Sequence, residues 1–496
     1  METDLSAGTK PGIFSECARF VRERFLRLLV ISALILVPVY WHRRIVSSDL
    51  GSHLYNAWLV ELIHRGQAPG LWIAPQWTNV LSDWMLSGLG SAFGLRVAER
   101  LTVSLSVLIF FWGAFALVCA ASRRAPWYLL PLVAAVTYGY TFYMGFLNYY
   151  MAIGLSFWAV ALFWRGKGWE RVSALALAPL IVVAHPLGLI WLAGAVMYIG
   201  IAEALPRQYS WLLFVAAIAA LLAVHFYFWH RYIVEAEPGW FYFFTGADQL
   251  VLFGKRYMIF AWALPALAIV ALGADVVRRR GESGAWTLFK IPVQLYILAL
   301  LAVPLLPRGI TFPDGTAPIS LLTERMTSVS AVILLCILGA MRPSRWHLAG
   351  AAAIAAVFFA FTYQDTAAVN RMEAQVERLV RTLPPNQRVV GTILPPRGSR
   401  ILIQHLLDRA CIGHCFSYGN YEPGSKVFRV RATEENPYVL SDYGDAVSTE
   451  QGDYIVQRED LPVFQVYQCD EDWTQLCIAS LKEGETNDDL GVHPTK

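Results

Sequence analysis

The sequence predicts a polytopic α-helical membrane protein with about eleven transmembrane helices and a small soluble α/β domain at its C-terminus. Only 16% of its 496 residues are charged and 56% are hydrophobic, whereas about 25% charged residues are usual in soluble domains. The apolar residues form runs of about 16–22 residues, the length that a helix needs to cross about 30 Å of hydrocarbon. After residue 363 these runs stop, and the remaining chain is polar and rich in turn residues.

The N-terminal segment, residues 1–24, is predicted to be cytoplasmic and to lead into an uncleaved membrane anchor. It carries Lys10, Arg19, Arg22 and Arg24 before the first apolar run. That run is not followed by the small-residue cleavage site of a secretory signal peptide. Because cytoplasmic flanks are enriched in Lys and Arg, we expect the N-terminus to stay on the cytoplasmic side.

The transmembrane domain is predicted to occupy residues 25–363. Nine clear spans follow from length and hydrophobicity, at residues 25–42, 99–121, 127–143, 147–165, 211–229, 257–275, 288–306, 326–342 and 346–363. The stretch 172–202 also lacks Asp, Glu, Lys and Arg, and His185-Pro186 interrupts it. At a rise of about 1.5 Å per residue this stretch is long for one helix and short for two. We predict two helices that meet at the His-Pro pair, which brings the count to eleven.

The basic residues orient these spans. With the N-terminus inside, the cytoplasmic turns carry the clustered basic residues Arg123-Arg124, Arg165/Lys167/Arg171, Arg207, Arg278–Arg280 and Arg342/Arg345. This distribution agrees with the positive-inside rule. An odd number of spans then puts residues 364–496 on the other side. We therefore expect a multi-pass protein of the inner (plasma) membrane with an extracytoplasmic C-terminal domain.

The C-terminal segment, residues 364–496, is predicted to be a small α/β domain. Its patterns favour helices at 366–382 and 400–409 and strands at 388–394, 426–431 and 463–468. Four of the seven cysteines of the chain fall in this segment, namely Cys411, Cys415, Cys469 and Cys477. An even set on the outer side favours one or two disulfides, of a connectivity that spacing alone leaves open. The alternative is a metal site, although neither spacing matches a common zinc pattern.

The first outer loop, residues 43–98, contains the most informative polar patch. Asp49 and His53 follow the first anchor, and His53 lies one helical turn beyond Asp49 on the same side. Because a carboxylate at a membrane boundary is costly to place, its default interpretation is functional. The alternative is that Asp49 only caps the helix that follows it. The segment 78–94, which contains Asp83, is predicted to be a re-entrant or surface helix.

Basic residues also occur at the outer ends of later spans. Lys255 and Arg256 precede one span, and Arg325 begins another. The positive-inside rule disfavours basic residues there. An anionic partner such as a lipid phosphate explains them, because a guanidinium binds phosphate bidentately. The alternatives are a snorkelling belt for Lys255 and Arg256 and a structural pair between Arg325 and Glu324.

Four short motifs resemble elements of one enzyme family. They are Arg65-Gly66-Gln67-Ala68-Pro69, Leu95-x-x-Ala98-Glu99-Arg100-Leu101, Gly145-Phe146-Leu147-Asn148-Tyr149 and Ala184-His185-Pro186-Leu187. An N-terminal anchor, an acidic residue in the first outer loop and an outer C-terminal domain accompany them. In these features the chain resembles the membrane-embedded glycosyltransferases with the C-type (GT-C) fold, which use polyprenyl-phosphate sugars. The resemblance covers residues 25 to about 345.

The resemblance implies an integral-membrane transferase that takes part in glycan biosynthesis of the cell envelope. Such an enzyme moves a hexose or pentose from a polyprenyl-phosphate carrier to a lipid, glycan or protein acceptor on the outer face. Asp49 is then the candidate general base. Six residues are the candidates for substrate binding, namely His53, Asp83, His185, Lys255, Arg256 and Arg325.

The need for a metal ion is left open by the sequence. The family often carries two acidic residues in or near its first loops, whereas no Asp-x-Asp or Asp-Glu pair follows Asp49 here, and Asp83 is the nearest second carboxylate. A divalent cation is therefore an optional cofactor. Without one, one or two of Arg325, Arg256 and Lys255 would neutralise the departing phosphate.

Two other classes of membrane protein are the alternatives. A transporter or flippase for lipid-linked glycans would show internal symmetry and charges near the bilayer midplane. No repeat between the halves is visible, and the charges cluster at the outer rim. A non-catalytic assembly subunit would bind the same carrier while Asp49 is dispensable. The chain has no Walker A or G-x-G-x-x-G motif, which argues against a nucleotide-sugar donor, and we expect membrane lipids but no nucleic acid as partners.

Overall fold

The computed structural model of the chain describes residues 12–236, 244–280, 287, 289–312, 318–396, 398–403, 405–433, 436–469, 472 and 474–482. The helices are α1 (Ile13–Tyr40), α2 (Leu50–His64), α3 (Leu81–Phe93), α4 (Leu95–Ser122), α5 (Leu130–Thr137), α6 (Tyr140–Tyr143), α7 (Leu147–Arg165), α8 (Trp169–Ala174), α9 (Ala178–Ala184), α10 (Pro186–Ala204), α11 (Ser210–Arg231), α12 (Met258–Arg278), α13 (Lys290–Leu305), α14 (Leu322–Ala340), α15 (Arg345–Val380), α16 (Leu406–Cys411) and α17 (Tyr443–Gln451). The strands are β1 (Leu71–Ile73), β2 (Ile233–Glu235), β3 (Gly309–Thr311), β4 (Arg388–Thr392), β5 (Phe416–Ser417), β6 (Val430–Ala432), β7 (Val463–Gln468) and β8 (Leu476–Leu481).

Most of the described chain is helical, and seven helices are long and apolar enough to cross a membrane. They are α4, α7, α10, α11, α12 with the short turn before it, α14 and α15. These helices support the prediction of a polytopic membrane protein. The predicted count of eleven spans is not confirmed. The four other predicted spans, at 25–42, 127–143, the first half of 172–202 and 288–306, take different forms.

The predicted span 25–42 forms the second half of α1. Glu23, Arg24 and Arg27 lie within the last eighteen residues of this helix, so its uninterrupted apolar part is shorter than the roughly 20 residues that a span needs. The charged first half and the apolar second half are one continuous helix. The predicted boundary at residue 25 does not coincide with the start of the helix.

The predicted span 127–143 is broken into short pieces at Gly139. This glycine has an extended backbone between α5 and α6, and a Cβ atom there would lie only 2.9 Å from the carbonyl oxygen of Val136. The side-chain oxygen of Gln249 accepts hydrogen bonds from the backbone N–H of Thr141 at 3.1 Å and from its hydroxyl at 3.0 Å. The backbone N–H of Thr141, which the break frees, is therefore hydrogen-bonded to a side chain distant in the sequence. Local hydrophobicity does not reveal such a contact.

The last two of these four predicted spans correspond to helices that are shorter than the candidate spans. The stretch 172–202 breaks at His185 as predicted, because a residue before proline is driven out of the helical region. Its first part contains only short helices, however, and only α10 is long enough to be a span. The predicted span 288–306 corresponds to α13, which has 16 residues and carries Pro304 in its last turn.

The C-terminal domain begins on the same helix as the last candidate span. The predicted helix 366–382 is the second half of α15, which runs unbroken for 36 residues. Beyond it, the four strands of the main sheet have the order β5-β4-β7-β8, in which β4 is parallel to β5 and β7, and β8 is antiparallel to β7. A small α/β arrangement in this region is thus confirmed.

The predicted elements of this domain are partly correct. The strands at 388–394 and 463–468 are confirmed as β4 and β7, whereas the strand at 426–431 overlaps β6, which lies outside the main sheet. The helix predicted at 400–409 begins only at α16. Before it, the backbone N–H of Arg400 donates to a carbonyl of the loop before α12 at 2.8 Å, so a tertiary contact replaces the first predicted turn. Strand β8 and helix α17 were not predicted.

The C-terminal domain is joined to the first outer loop. Strand β6 pairs antiparallel with β1, and Trp72 lies opposite Arg431. On the other side, the guanidinium of Arg409 on α16 donates to the carbonyl of Ile45 in the first outer loop at 3.1 Å. It also lies 3.3 Å from Glu99 of α4 and 3.5 Å from Glu373 of α15. A single hydrophobic core includes buried residues of both regions. The first outer loop and the C-terminal domain therefore enclose a common interior.

The four cysteines of this domain form two disulfides. Cys411 is bonded to Cys415, and Cys469 is bonded to Cys477. The prediction of disulfides is confirmed, and the open question of connectivity is answered by two local pairs. The alternative of a metal site built from these cysteines does not apply, because their sulfurs are bonded to each other.

Candidate functional site

The backbone of Asp49 is fixed by the turn between α6 and α7. The N–H of Ser48 donates to the carbonyl of Tyr143 at 2.8 Å, and the N–H of Asp49 donates to that of Met144 at 3.1 Å. The next residue of the turn, Gly145, has a φ of +82°. A Cβ atom there would lie 2.5 Å from the nitrogen of Asp49. The glycine of the third motif is thus required for the close approach of this turn to Asp49.

The side chain of Asp49 is not used as a helix cap. Asp49 occupies the N-cap position of α2, but its carboxylate makes no capping hydrogen bond to the described first turn of that helix. The carboxylate is 16% exposed, and one of its oxygens lies 3.8 Å from Nε2 of His405. Burial raises the pKa of Asp49, while the positive charges of His405, His53 and Arg325 oppose that rise. This arrangement leaves a partly accessible carboxylate within a mostly buried polar site.

The predicted residues His53 and Asp83 are in direct contact. Nδ1 of His53 donates to Oδ1 of Asp83 at 2.8 Å, and the other oxygen of Asp83 accepts from the side-chain amide of Asn148 at 2.9 Å. Although burial disfavours the charged imidazole, Asp83 and Glu422 raise the pKa of His53 to about 10. Three elements, α2, α3 and α7, therefore hold a charged pair beside Asp49.

The C-terminal domain supplies the opposite wall of the site. Nδ1 of His405 lies 2.8 Å from Oδ2 of Asp408, and Nε2 lies 3.5 Å from Oε1 of Glu450 on α17. Oε1 of Glu422 lies 3.4 Å from His53 and accepts a hydrogen bond from Ser52 of α2 at 3.1 Å. Burial raises the pKa of Glu422 to about 7 and that of Glu450 to about 8. The wall thus contains carboxyl groups that titrate near neutral pH.

Arg325 supplies the permanent positive charge of the site. Its guanidinium stacks on the ring of Phe146, 4.2 Å from the centroid, and it interacts electrostatically with Asp49. Its Nε is buried and has no hydrogen-bond partner among the residues that the structure describes. The alternative of an Arg325–Glu324 pair is not observed, because Glu324 accepts from Nε of Arg308 at 2.8 Å instead. The guanidinium is therefore still available to an anionic group.

The other three predicted binding residues are not part of this contact network. Lys255 and Arg256 are exposed at the start of α12, where Arg256 lies 2.6 Å from Asp365 of α15. Nδ1 of His185 accepts the backbone N–H of Leu187 at 3.2 Å and so caps α10. His185 is still within electrostatic reach of Arg325. A role in binding stays a prediction for these three residues.

A groove lies between helices α2 and α3. Its volume is about 370 Å³, and Val60, Trp84, Gly88 and Leu95 contribute to its largely apolar lining. Arg429, just before β6, reaches into the groove and donates to Ser87 at 3.1 Å. Arg429 also interacts electrostatically with Asp83, so the groove and the site share one basic residue.

Comparisons with known proteins do not extend this description. The chain matches no family model, no curated protein and no solved structure. Among the described residues, no group of three or more His, Cys, Asp or Glu side chains has an arrangement that would hold a metal ion. The geometry of Asp49 and its neighbours is therefore the basis for assigning a function.

Sequence reasoning missed the residues of the C-terminal wall. His405, Asp408, Glu422 and Glu450 are far from Asp49 in the chain, and no motif links them to it. One local signal was present: His405 and Asp408 are spaced by three residues within an otherwise apolar segment. A buried ionisable pair in such a segment is a candidate for function.

Proposed function

We propose that this protein is an integral-membrane glycosyltransferase that moves a sugar from a polyprenyl-phosphate carrier to a lipid, glycan or protein acceptor. The proposal rests on one observation: a carboxylate that can act as a base lies close to a guanidinium that can bind an anion. The accessible carboxylate of Asp49 is free of capping bonds and lies in the field of Arg325, whose buried Nε has no partner among the described residues. A base and an anion-binding group are what this reaction needs.

In the proposed reaction Asp49 acts as the general base. Its carboxylate takes the proton of an acceptor hydroxyl while the oxygen of that hydroxyl forms a bond to the anomeric carbon of the sugar. The bond between this carbon and the carrier phosphate breaks, and its electron pair goes to the phosphate oxygen. The guanidinium of Arg325 stabilises the charge that develops there, because charge-assisted hydrogen bonds strengthen in a site of low dielectric.

The location of the site supports a lipid-linked donor. Arg325 is in the first turn of α14, and Phe146, on which it stacks, directly precedes α7. Both helices are long and apolar enough to cross a membrane. The phosphate of a carrier whose chain lies in the bilayer would therefore meet the site at the end of these helices. The groove along α2 and α3 offers apolar walls to a second amphiphilic ligand.

The outer face of the membrane is the proposed side of the reaction. Disulfides persist in oxidising compartments and are rare in the cytosol. The Cys411–Cys415 disulfide closes the end of α16, the helix that carries Asp408. With eleven spans and the N-terminus in the cytoplasm, the basic turns between helices would lie inside, as the positive-inside rule expects.

The deciding experiment is sugar transfer by the purified protein in nanodiscs, with a panel of labelled polyprenyl-phosphate hexoses and pentoses. Asp49→Asn is expected to lower the transfer rate by roughly a hundredfold or more, because a general base contributes at least that factor. Asp453→Asn, an exposed carboxylate of the C-terminal domain, is the matched control. Equal rates for wild type and Asp49→Asn would refute the role of Asp49. Carrier binding without transfer from any donor would favour a flippase or an assembly subunit.

A further inference from the structure

His405 is held in one orientation by Asp408. The carboxylate of Asp408 accepts hydrogen bonds from Nδ1 of His405 at 2.8 Å, from the amide of Asn420 at 2.8 Å and from the hydroxyl of Ser417. These contacts fix both the ring plane and the nitrogen that faces Asp408. The other nitrogen, Nε2, consequently points to Asp49 and Glu450.

The distance between His405 and Asp49 is set by the backbone. A Cβ atom at Gly51, in the first turn of α2, would lie 2.3 Å from the carbonyl oxygen of His405. The two chain segments therefore touch at a position where only glycine fits. Behind His405, Arg409 anchors α16 to Glu99 and Glu373. The imidazole is thus held against Asp49 from both sides and is only 2% exposed.

We propose that His405, oriented by Asp408, is a positioning residue of the C-terminal domain that keeps the catalytic carboxylate of Asp49 ionised. This inference rests on the proposed function, in which Asp49 accepts a proton. A base that already carries a proton cannot accept another. A positive imidazole beside a buried carboxylate stabilises the ionised form. The C-terminal domain would in this way control whether the first outer loop is competent for transfer.

The charges around Asp49 determine the size of this effect. Three positive groups face it from three elements, namely His405 before α16, His53 of α2 and Arg325 of α14. Glu450 of α17 and the tyrosines Tyr140, Tyr421 and Tyr443 also interact with Asp49 electrostatically. Asp408 and Glu422 contribute negative charge beside His405 and His53. Burial raises the pKa of Asp49, and His405 gives the largest opposing contribution. Without His405, only His53 and Arg325 counteract the rise in the pKa of Asp49 that burial and the negative groups cause.

The direction of the pH effect follows from this balance. Removing the positive charge of His405 raises the pKa of Asp49, so that at a given pH a smaller fraction of the carboxyl group is ionised. Activity that needs the ionised form then disappears at a higher pH when the solution is acidified. The acidic limb of the pH–rate profile should therefore move upward in His405→Gln.

The first test does not depend on catalysis. A hydrophobic carbodiimide modifies protonated carboxyl groups, and mass spectrometry can measure the pH midpoint of its reaction at Asp49 in nanodiscs. We expect His405→Gln to raise this midpoint by about one pH unit or more, a tenfold change in the protonated-to-ionised ratio. Asp408→Asn should change it by less than His405→Gln does, because the imidazole stays beside Glu450 and Asp49 while one nearby negative charge is removed. His414→Gln, whose ring contacts the carbonyl of Leu383, is the control and should not move it.

The second test is the pH dependence of sugar transfer by the same variants. The acidic limb should shift in parallel with the labelling midpoint, and kcat at pH 6–7 should fall while KM for the donor changes by less than about threefold. An unshifted labelling midpoint in both His405→Gln and Asp408→Asn, or a wild-type reaction at Asp49 that does not depend on pH, would overturn the inference. A shifted midpoint in a protein that transfers no sugar would instead refute the proposed function and leave the electrostatic role of His405 intact.

Discussion

At the scale of single residues, the site is a set of charges that burial makes costly and that contacts compensate. His53 is the clearest case. With a folded-state pKa of about 10, it contributes stability that is fully present below its unfolded value of about 6.5. That contribution is lost as the pH rises through about 10, where the folded protein must release the proton. The structure is therefore expected to depend on the His53–Asp83 pair across the neutral range.

Asp83→Asn should destabilise the protein, because it removes the nearer of the two carboxylates that pair with the buried imidazole of His53. Breaking a buried pair by removing one member costs about 3 kcal/mol. We expect a lower midpoint of thermal unfolding at pH 7–8, measured by intrinsic tryptophan fluorescence. The difference from wild type should shrink as the pH rises from about 6.5 to about 10. Asp453→Asn should leave the midpoint unchanged. A difference that persists undiminished at high pH would show that the charge of His53 is not involved.

At the scale of elements, the turn between α6 and α7 determines where the candidate base lies. The turn combines a left-handed glycine, Gly145, with backbone hydrogen bonds to the two residues before α2. A side chain at this position faces both an unfavourable φ and the nitrogen of Asp49 at 2.5 Å. The placement of Asp49 is therefore a property of the packing between these elements as much as of its own loop.

Gly145→Ala should reduce sugar transfer at least tenfold, because the added Cβ atom displaces the backbone of Asp49 and a misplaced catalytic group loses its geometry. Gly94→Ala is a matched control. Gly94 has nearly the same φ, +83°, but no atoms outside its immediate chain neighbours lie within 4 Å of the added Cβ atom among the described residues. Both variants suffer the backbone strain, and only Gly145→Ala suffers the contact. Equal losses of activity in the two variants would contradict this explanation.

The elements also show what a single sequence can predict. Long uninterrupted apolar runs identified the helices α4, α7 and α14, since a span requires only length and hydrophobicity. The run at 127–143 failed because the helix breaks at Gly139, and the run at 288–306 gave an apolar helix of only 16 residues. In the site, Asp49, His53 and Asp83 were predicted from one loop. The partners His405 and Glu450 were not, because their proximity depends on the docking of a distant domain.

At the scale of the whole molecule, the first outer loop and the C-terminal domain form one unit. Strand pairing between β1 and β6 joins them on one side, and the hydrogen bonds from Arg409 to the carbonyl of Ile45 join them on the other. The candidate site lies between these two attachments. Its wall is therefore complete only when the domain is docked.

Arg409→Ala tests this docking directly. It leaves the buried carboxylates of Glu99 and Glu373 without a cation on α16, which should cost about 3–5 kcal/mol. We expect faster proteolysis of the C-terminal domain in nanodiscs and a loss of transfer activity. Arg458→Ala, an exposed arginine of the same domain, should behave like wild type. Unchanged protease resistance in Arg409→Ala would show that the strand pairing alone is sufficient for docking.

The unbroken helix α15 has a geometric consequence. Its 36 residues measure about 54 Å at 1.5 Å per residue, whereas the hydrocarbon core of a bilayer is about 30 Å thick. About 24 Å of rigid rod therefore extends past the lipid chains, and the sheet of the C-terminal domain follows directly after it. This helix therefore fixes both the distance of the C-terminal domain from the bilayer and its rotation about the helix axis. One added residue would lift everything beyond it by about 1.5 Å and rotate it by about 100°. The height of the C-terminal domain above the bilayer is thus encoded in the number of residues of one helix.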